Sequence, residues 1–227
     1  MTEISLKKAA IIAGIGLLIM AILAPIANFS ILHGLVVVGD AAKTTNNIIA
    51  SDGLFRIGIC FFFIVAILDI IVAWALYVFL KQVNKNLSFL TALFRTVYAT
   101  MLSVDLFYLI YVLQLLSGAD YLSVFTTNQI QAQVMLSINT FNHCWEFGLI
   151  IFGFHLLLLG YLIFKAGYMR RILGILIVLT ALGYLTDGFG KLLSLDYRIS
   201  IATFTFVGEV VLIFWLLIKG RKIQETN

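Results

Sequence analysis

The sequence predicts an all-α polytopic membrane protein, a six-transmembrane-helix bundle with short interfacial helices in its outer loops. Three observations carry that prediction. The 227-residue chain is 62% hydrophobic and 11% charged, with a mean hydropathy of +1.08, whereas a soluble domain is nearer half apolar and a quarter charged. Its apolar residues fall into six runs, each close to the roughly 20 residues a bilayer crossing needs. Its basic residues gather at the ends of those runs, which fits topology determinants and anionic headgroups. That placement sets nucleic acid aside as a partner, despite a net charge of +4 and a pI near 9.1.

The first span covers residues 9–32. Lys7 and Lys8 precede it as in a signal peptide, but the run is too long for an h-region and no convincing small-residue cleavage site follows. The helix is therefore read as retained. Pro25 is expected to kink its last turns, with Asn28 placed to bond a freed carbonyl. The stretch 34–53 is too polar to span. Asp40 reads as an N-cap for a short surface helix, AAKTTNNIIA.

The second span, 54–80, carries Arg56 in its first turn, where the helix dipole disfavours a cation, so a nearby carboxylate is expected. Asp69 lies near its middle. A short basic link leads to the third span, 89–116, in which Arg95 is expected to snorkel to the interface and Asp105 lies near mid-span. The loop 117–140 has no Lys or Arg, and residues 130–138 read as a second surface helix.

The fourth span, 141–164, holds His143, Glu146 and His155. Glu146, Gly153, Gly160 and Gly167 recur every seven residues and so share a face, where close helix packing is expected. His155 points to the opposite side. The fifth span, 172–189, repeats the device with Gly174, Ala181 and Gly188, while Gly183, Asp187 and Gly190 share a neighbouring side. The sixth, 199–218, carries Glu209. The whole of 1–227 reads as one domain. Eleven of the 15 basic residues fall on one side if the N-terminus is cytoplasmic, against four on the other. That bias places both termini in the cytoplasm.

Helical rise sorts the ionisable groups into two layers. Arg56, His143, Glu146, Asp187 and Glu209 form an outer layer, readable as a polar pocket for a small or lipidic ligand. Its plain alternative is an ion-pair network of Arg56 with Glu146 or Glu209. Asp69, Asp105 and His155 form a mid-membrane layer. Two carboxyls on neighbouring helices there suit a proton relay, or two neutral hydrogen-bonded acids. Three scattered histidines without HxxxH or HExxH give little support to a metal, and none is assigned. Gly14-Ile15-Gly16 lacks a phosphate-loop context and there is no nucleophile elbow, so no cofactor is assigned and the reading leans away from an enzyme. Cys60 and Cys144 are read as free thiols in preference to a bridge.

Three stretches carry a family resemblance: GDAAKTTNNIIASDGLFRIGI (39–59), ALYVFLKQVNKNLSFLTALFRTVYATML (75–102) and FGFHLLLLGYLIFKAGYMRRILGILIVLTALGYLTDGF (152–189). In these the chain resembles a bacterial integral membrane family, the domain of unknown function 4386. The third stretch is the most specific. Arg56, Arg95 and His155 match polar positions of the family pattern, whereas His143 and Glu146 are less typical of it. Met169-Arg170 stands where the family has a proline. The resemblance implies a six-span protein of the bacterial cytoplasmic membrane and no particular activity.

Three functions are therefore carried forward. The first is a non-enzymatic membrane protein holding a small molecule or lipid in an outward-facing polar pocket. The second is a proton-coupled small-molecule transporter using Asp69 and Asp105. The third is an intramembrane metal-dependent hydrolase. Membrane lipid is an expected partner in all three, and homo-oligomerisation stays open.

Overall fold

In lipid, a backbone far from water must bond within its own segment, and a helix achieves this. In the computed structural model, which describes residues 4–194 and 196–223, the long elements are accordingly helices, and no strand occurs among the described residues. Those residues form α1 (Leu6–Leu35), α2 (Ala41–Ala50), α3 (Asp52–Leu80), α4 (Lys85–Leu115), α5 (Thr127–Lys165), α6 (Arg171–Leu193) and α7 (Val207–Ile218). Among the described residues six segments are long and apolar enough to cross a membrane, α7 counting from Ala202 to Lys222 and α2 not among them. The protein is an all-α polytopic membrane bundle. Isoleucines and phenylalanines left bare on it, such as Ile22, Phe63 and Phe107, are what lipid would cover.

Pro25 has no N–H to give the ladder. Beyond it α1 runs as a π-helix over Ile26–Leu32, with the His33 N–H bonding Asn28 O, before a last turn at His33–Leu35. The Asn28 side chain is buried there, with its Oδ1 unpartnered. The short helix α2 begins where expected. Asp40 Oδ1 accepts from the Lys43 N–H at 2.8 Å. The helix is tied down by Thr44, whose hydroxyl accepts from Val37 N–H at 2.9 Å, and by Asn47, which donates to Leu35 O at 3.0 Å.

Two departures from expectation change the elements themselves. Residues 130–138 are not a separate surface helix but part of α5, which is 39 residues long. No Gly or Pro stands between Thr127 and Phe147 to stop it, and Val134 and Ile138 are fully buried, so packing holds the extension. The sixth span begins later, at Ala202, and breaks at Phe206 between the short turn Ala202–Thr205 and α7. The last four residues of the polar tail lie outside the described residues.

By internal contacts the chain divides into two compact units. One holds the described residues up to Ala21, Ile67–Thr100, and those from Glu146 onward; the other holds Ile22–Ala66 and Met101–Trp145. In the first, α5 and α6 pack through small residues. A Cβ at Gly174 would stand 2.6 Å from Gly160 O, and one at Gly153 would stand 2.8 Å from the Leu185 side chain. The seven-residue glycine pattern thus works as expected at Gly153 and Gly160. Gly167 falls in the turn after α5, with open space around it. In the second unit, Phe62 packs edge-on to Trp145 and against Phe141. Cys60 and Cys144 are both free thiols.

Candidate functional site

Arg95 is the organising residue of the first unit. It stands in α4, and only 2% of it is exposed, so the expected snorkelling to the interface does not occur. A buried guanidinium needs a counter-charge and acceptors for its five N–H groups. Asp69, in α3 and equally buried, supplies the charge: Nη2 to Oδ1 is 2.6 Å. His155, in α5, supplies an acceptor, with Nη1 and Nε2 3.2 Å apart. The guanidinium also lies over the Phe152 ring, 5.2 Å from its centroid. Its Nε remains buried without a partner.

The partners of His155 fix its tautomer. Nδ1 lies 2.9 Å from Thr91 O, which can only accept, so Nδ1 carries the proton. Nε2 then accepts from Arg95. Beside this group Tyr184 of α6 and Glu209 of α7 share a side-chain hydrogen bond. The Glu209 carboxylate interacts electrostatically with both Arg95 and Asp69. Phe152 walls the cluster, touching Tyr98, His155 and Tyr184. Five helices, α3 to α7, thus each contribute a polar group to one cluster. Arg95, Tyr184, Thr91 and Phe152 are members that the sequence reading did not assign to it.

The remaining predicted site residues are placed as follows. Arg56 pairs with Asp52 one turn back at 2.7 Å, both exposed, so the compensating carboxylate is a local one. His143 is exposed. Glu146 binds Lys191 at 2.5 Å in a half-exposed pair. Asp105, on α4 but within the second unit, is buried with Oδ2 unpartnered. Asp187 accepts from Ile201 N–H at 2.9 Å, Ala202 N–H at 2.7 Å and Tyr197 OH at 2.7 Å. Its bond to Tyr197 holds that phenol above its usual range, with desolvation and the carboxylate charge adding to the effect. Glu146, Asp187 and Glu209 therefore take three different sets of partners. No group of three or more His, Cys, Asp or Glu side chains able to hold a metal occurs among the described residues. The convergence that a metal hydrolase requires is absent there.

Asp187 has a testable structural role. Asp187→Ala strands two N–H groups that each hold a charge-assisted bond. Amide exchange at Ile201 and Ala202 is expected to speed up by about tenfold or more, at about 1.5–3 kcal/mol per bond. Unchanged exchange at those two amides would remove the assignment.

A buried ion pair and its polar neighbours, carried on apolar helices long enough to cross a membrane, define an integral membrane protein with ionisable groups among its spans. The chain belongs to the family described as Domain of unknown function (DUF4386), whose model matches residues 12–220. It is 39% identical over 163 residues to an uncharacterized protein from Archaeoglobus fulgidus, covering 72% of this chain and 83% of that protein. No solved structure matches it.

Proposed function

We propose that the protein is a proton-coupled carrier of a small molecule, in which Asp69 and Glu209 compete for Arg95. The single observation behind this reading is the charge count of the Arg95 cluster, in which Asp69, Arg95 and His155 are buried and Glu209 is half-buried. One guanidinium faces two carboxylates, with a histidine whose ring nitrogens are already engaged. Such a set is electrically neutral when one carboxyl holds a proton, and a low-dielectric site favours neutrality. Moving that proton between Asp69 and Glu209 would change which helix, α3 or α7, Arg95 grips. Two packings biased by one proton are what alternating access needs. Glu209 thereby takes the role that the sequence reading gave to Asp105. The 11-to-4 distribution of basic residues supports a cytoplasmic membrane location with both termini in the cytoplasm.

Infrared difference titration of the purified protein tests this without knowledge of the substrate. A protonated-carboxyl band is expected to titrate in the parent, and to shift or vanish in Glu209→Gln and Asp69→Asn. Glu146→Gln should retain it. If the band is absent, or indifferent to both cluster variants, the proton-coupled reading is wrong.

The second reading is the non-enzymatic holder of a polar or lipidic ligand. The half-exposed Lys191–Glu146 pair favours it, because a ligand can reach those charges where it cannot reach Arg95. It predicts saturable ligand binding that survives Glu209→Gln and fails in Glu146→Gln.

A further inference from the structure

The ends of α5, α6 and α7 carry a second feature, separate from the Arg95 cluster. A cavity of about 610 Å³ opens beside the turn joining α5 to α6. Arg170 lines it from that turn, and Lys219 and Lys222 line it from the chain leaving α7. All three cations are exposed, and among the described residues no carboxylate pairs with any of them. The first turn of α6 borders the same cavity, with no side-chain cap and no acidic residue in that turn. Each of these features calls for an anion.

The rest of the wall is apolar and held in place. Tyr168 and Trp215 both line the cavity, and both rest edge-on against Phe79. The Tyr168 hydroxyl donates to Phe79 O at 2.6 Å, and burial pushes that phenol upward. Ile172 and Val211 continue the surface along the membrane-spanning parts of α6 and α7. A soluble anion would use the cations and leave this apolar wall bare. An amphiphile uses both.

We infer that this cavity binds the headgroup phosphate of an anionic phospholipid, with Arg170, Lys219 and Lys222 around the phosphate and the chains running along Ile172 and Val211. The site lies at a membrane boundary by construction, because it sits where two spanning helices end. Basic pockets between spanning helices are suited to such headgroups.

The test uses the full chain in detergent micelles doped with phosphatidylglycerol or phosphatidylcholine, with bound lipid counted by native mass spectrometry. The parent is expected to retain one phosphatidylglycerol about tenfold more tightly than phosphatidylcholine, as several cations near one anionic headgroup imply. R170Q/K219Q/K222Q should lose that preference. K7Q/K8Q/K85Q, which removes the same charge elsewhere, should keep it. Free glycerol phosphate should not displace the lipid. A triple variant that binds like the parent would overturn the site. So would a control that loses as much, since bulk charge would then explain the preference. Displacement by glycerol phosphate would assign the cavity to a soluble anion instead. K219Q alone, expected to weaken binding by a smaller factor, keeps the proposal testable if the triple variant melts early.

Discussion

Arg95→Leu is expected to lower the stability of the protein by about 3–5 kcal/mol, because it leaves Asp69 as an uncompensated buried charge. Asp69 is 3% exposed and pairs with Arg95, so water is not available to replace the guanidinium. The measurement is a thermal or denaturant melt of the purified protein in detergent. The informative companion is Asp69→Leu/Arg95→Leu. Replacing both members of a buried ion pair by apolar groups is often near neutral, whereas removing one is not. The double variant should therefore recover most of the loss. It should retain a deficit of about 1 kcal/mol, since His155 Nε2 then has no donor. Equal losses in the single and double variants would mean that the pair is not what holds this region.

Gly174→Val is the second large effect. A Cβ at Gly174 would meet Gly160 O at 2.6 Å, Phe164 N at 2.6 Å and Phe164 Cα at 2.8 Å, all of them backbone atoms that cannot swing aside. The two helices would have to part along the seam that carries Gly153 and Leu185. Overpacking of a tight core costs about 1–3 kcal/mol even where side chains can yield. Gly174→Ala is expected to fall in that range, and Gly174→Val beyond it. Gly167→Ala supplies the contrast. It belongs to the seven-residue pattern of Gly153 and Gly160 but has no atom within 4 Å of the added carbon, so its melting temperature should match the parent. Equal tolerance at Gly167 and Gly174 would show that the backbone contacts at Gly174 do not limit how closely α5 and α6 pack.

The fold class was legible because lipid leaves a long apolar segment few choices, and the N-cap at Asp40 was legible because capping is local. The pairing of Asp69 with Arg95 was also within reach. Asp69 lies 11 residues before the end of α3 at Leu80, and Arg95 lies 10 residues after the start of α4 at Lys85. Two antiparallel helices joined by a tight link bring such positions to the same depth. Measuring depth from the first apolar residue, Phe89, instead of from Lys85 made Arg95 look close enough to the interface to snorkel. The same count sets Asp105 about 15 Å further along α4 than Arg95 at the usual helical rise.

Other parts depended on information a single chain does not display. Tyr184 meets Glu209 only because α6 and α7 are rotated to face each other. The partners of Asp187 come from a turn 14 and 15 residues away in sequence, whose path no local motif sets. The length of α5 had a signal, the absence of any breaker between Thr127 and Phe147, but the polarity of that stretch argued for a loop.

The tautomer of His155 bears on how charge can travel. On one side of the ring stands a guanidinium, which does not surrender a proton in a protein; on the other stands a peptide carbonyl, which does not accept one for keeps. A histidine between such neighbours is a dead end for conduction: nothing enters at Nε2 and nothing leaves at Nδ1. Any current of protons through this part of the bundle has to pass by way of the carboxylates, and the imidazole acts as insulation around them.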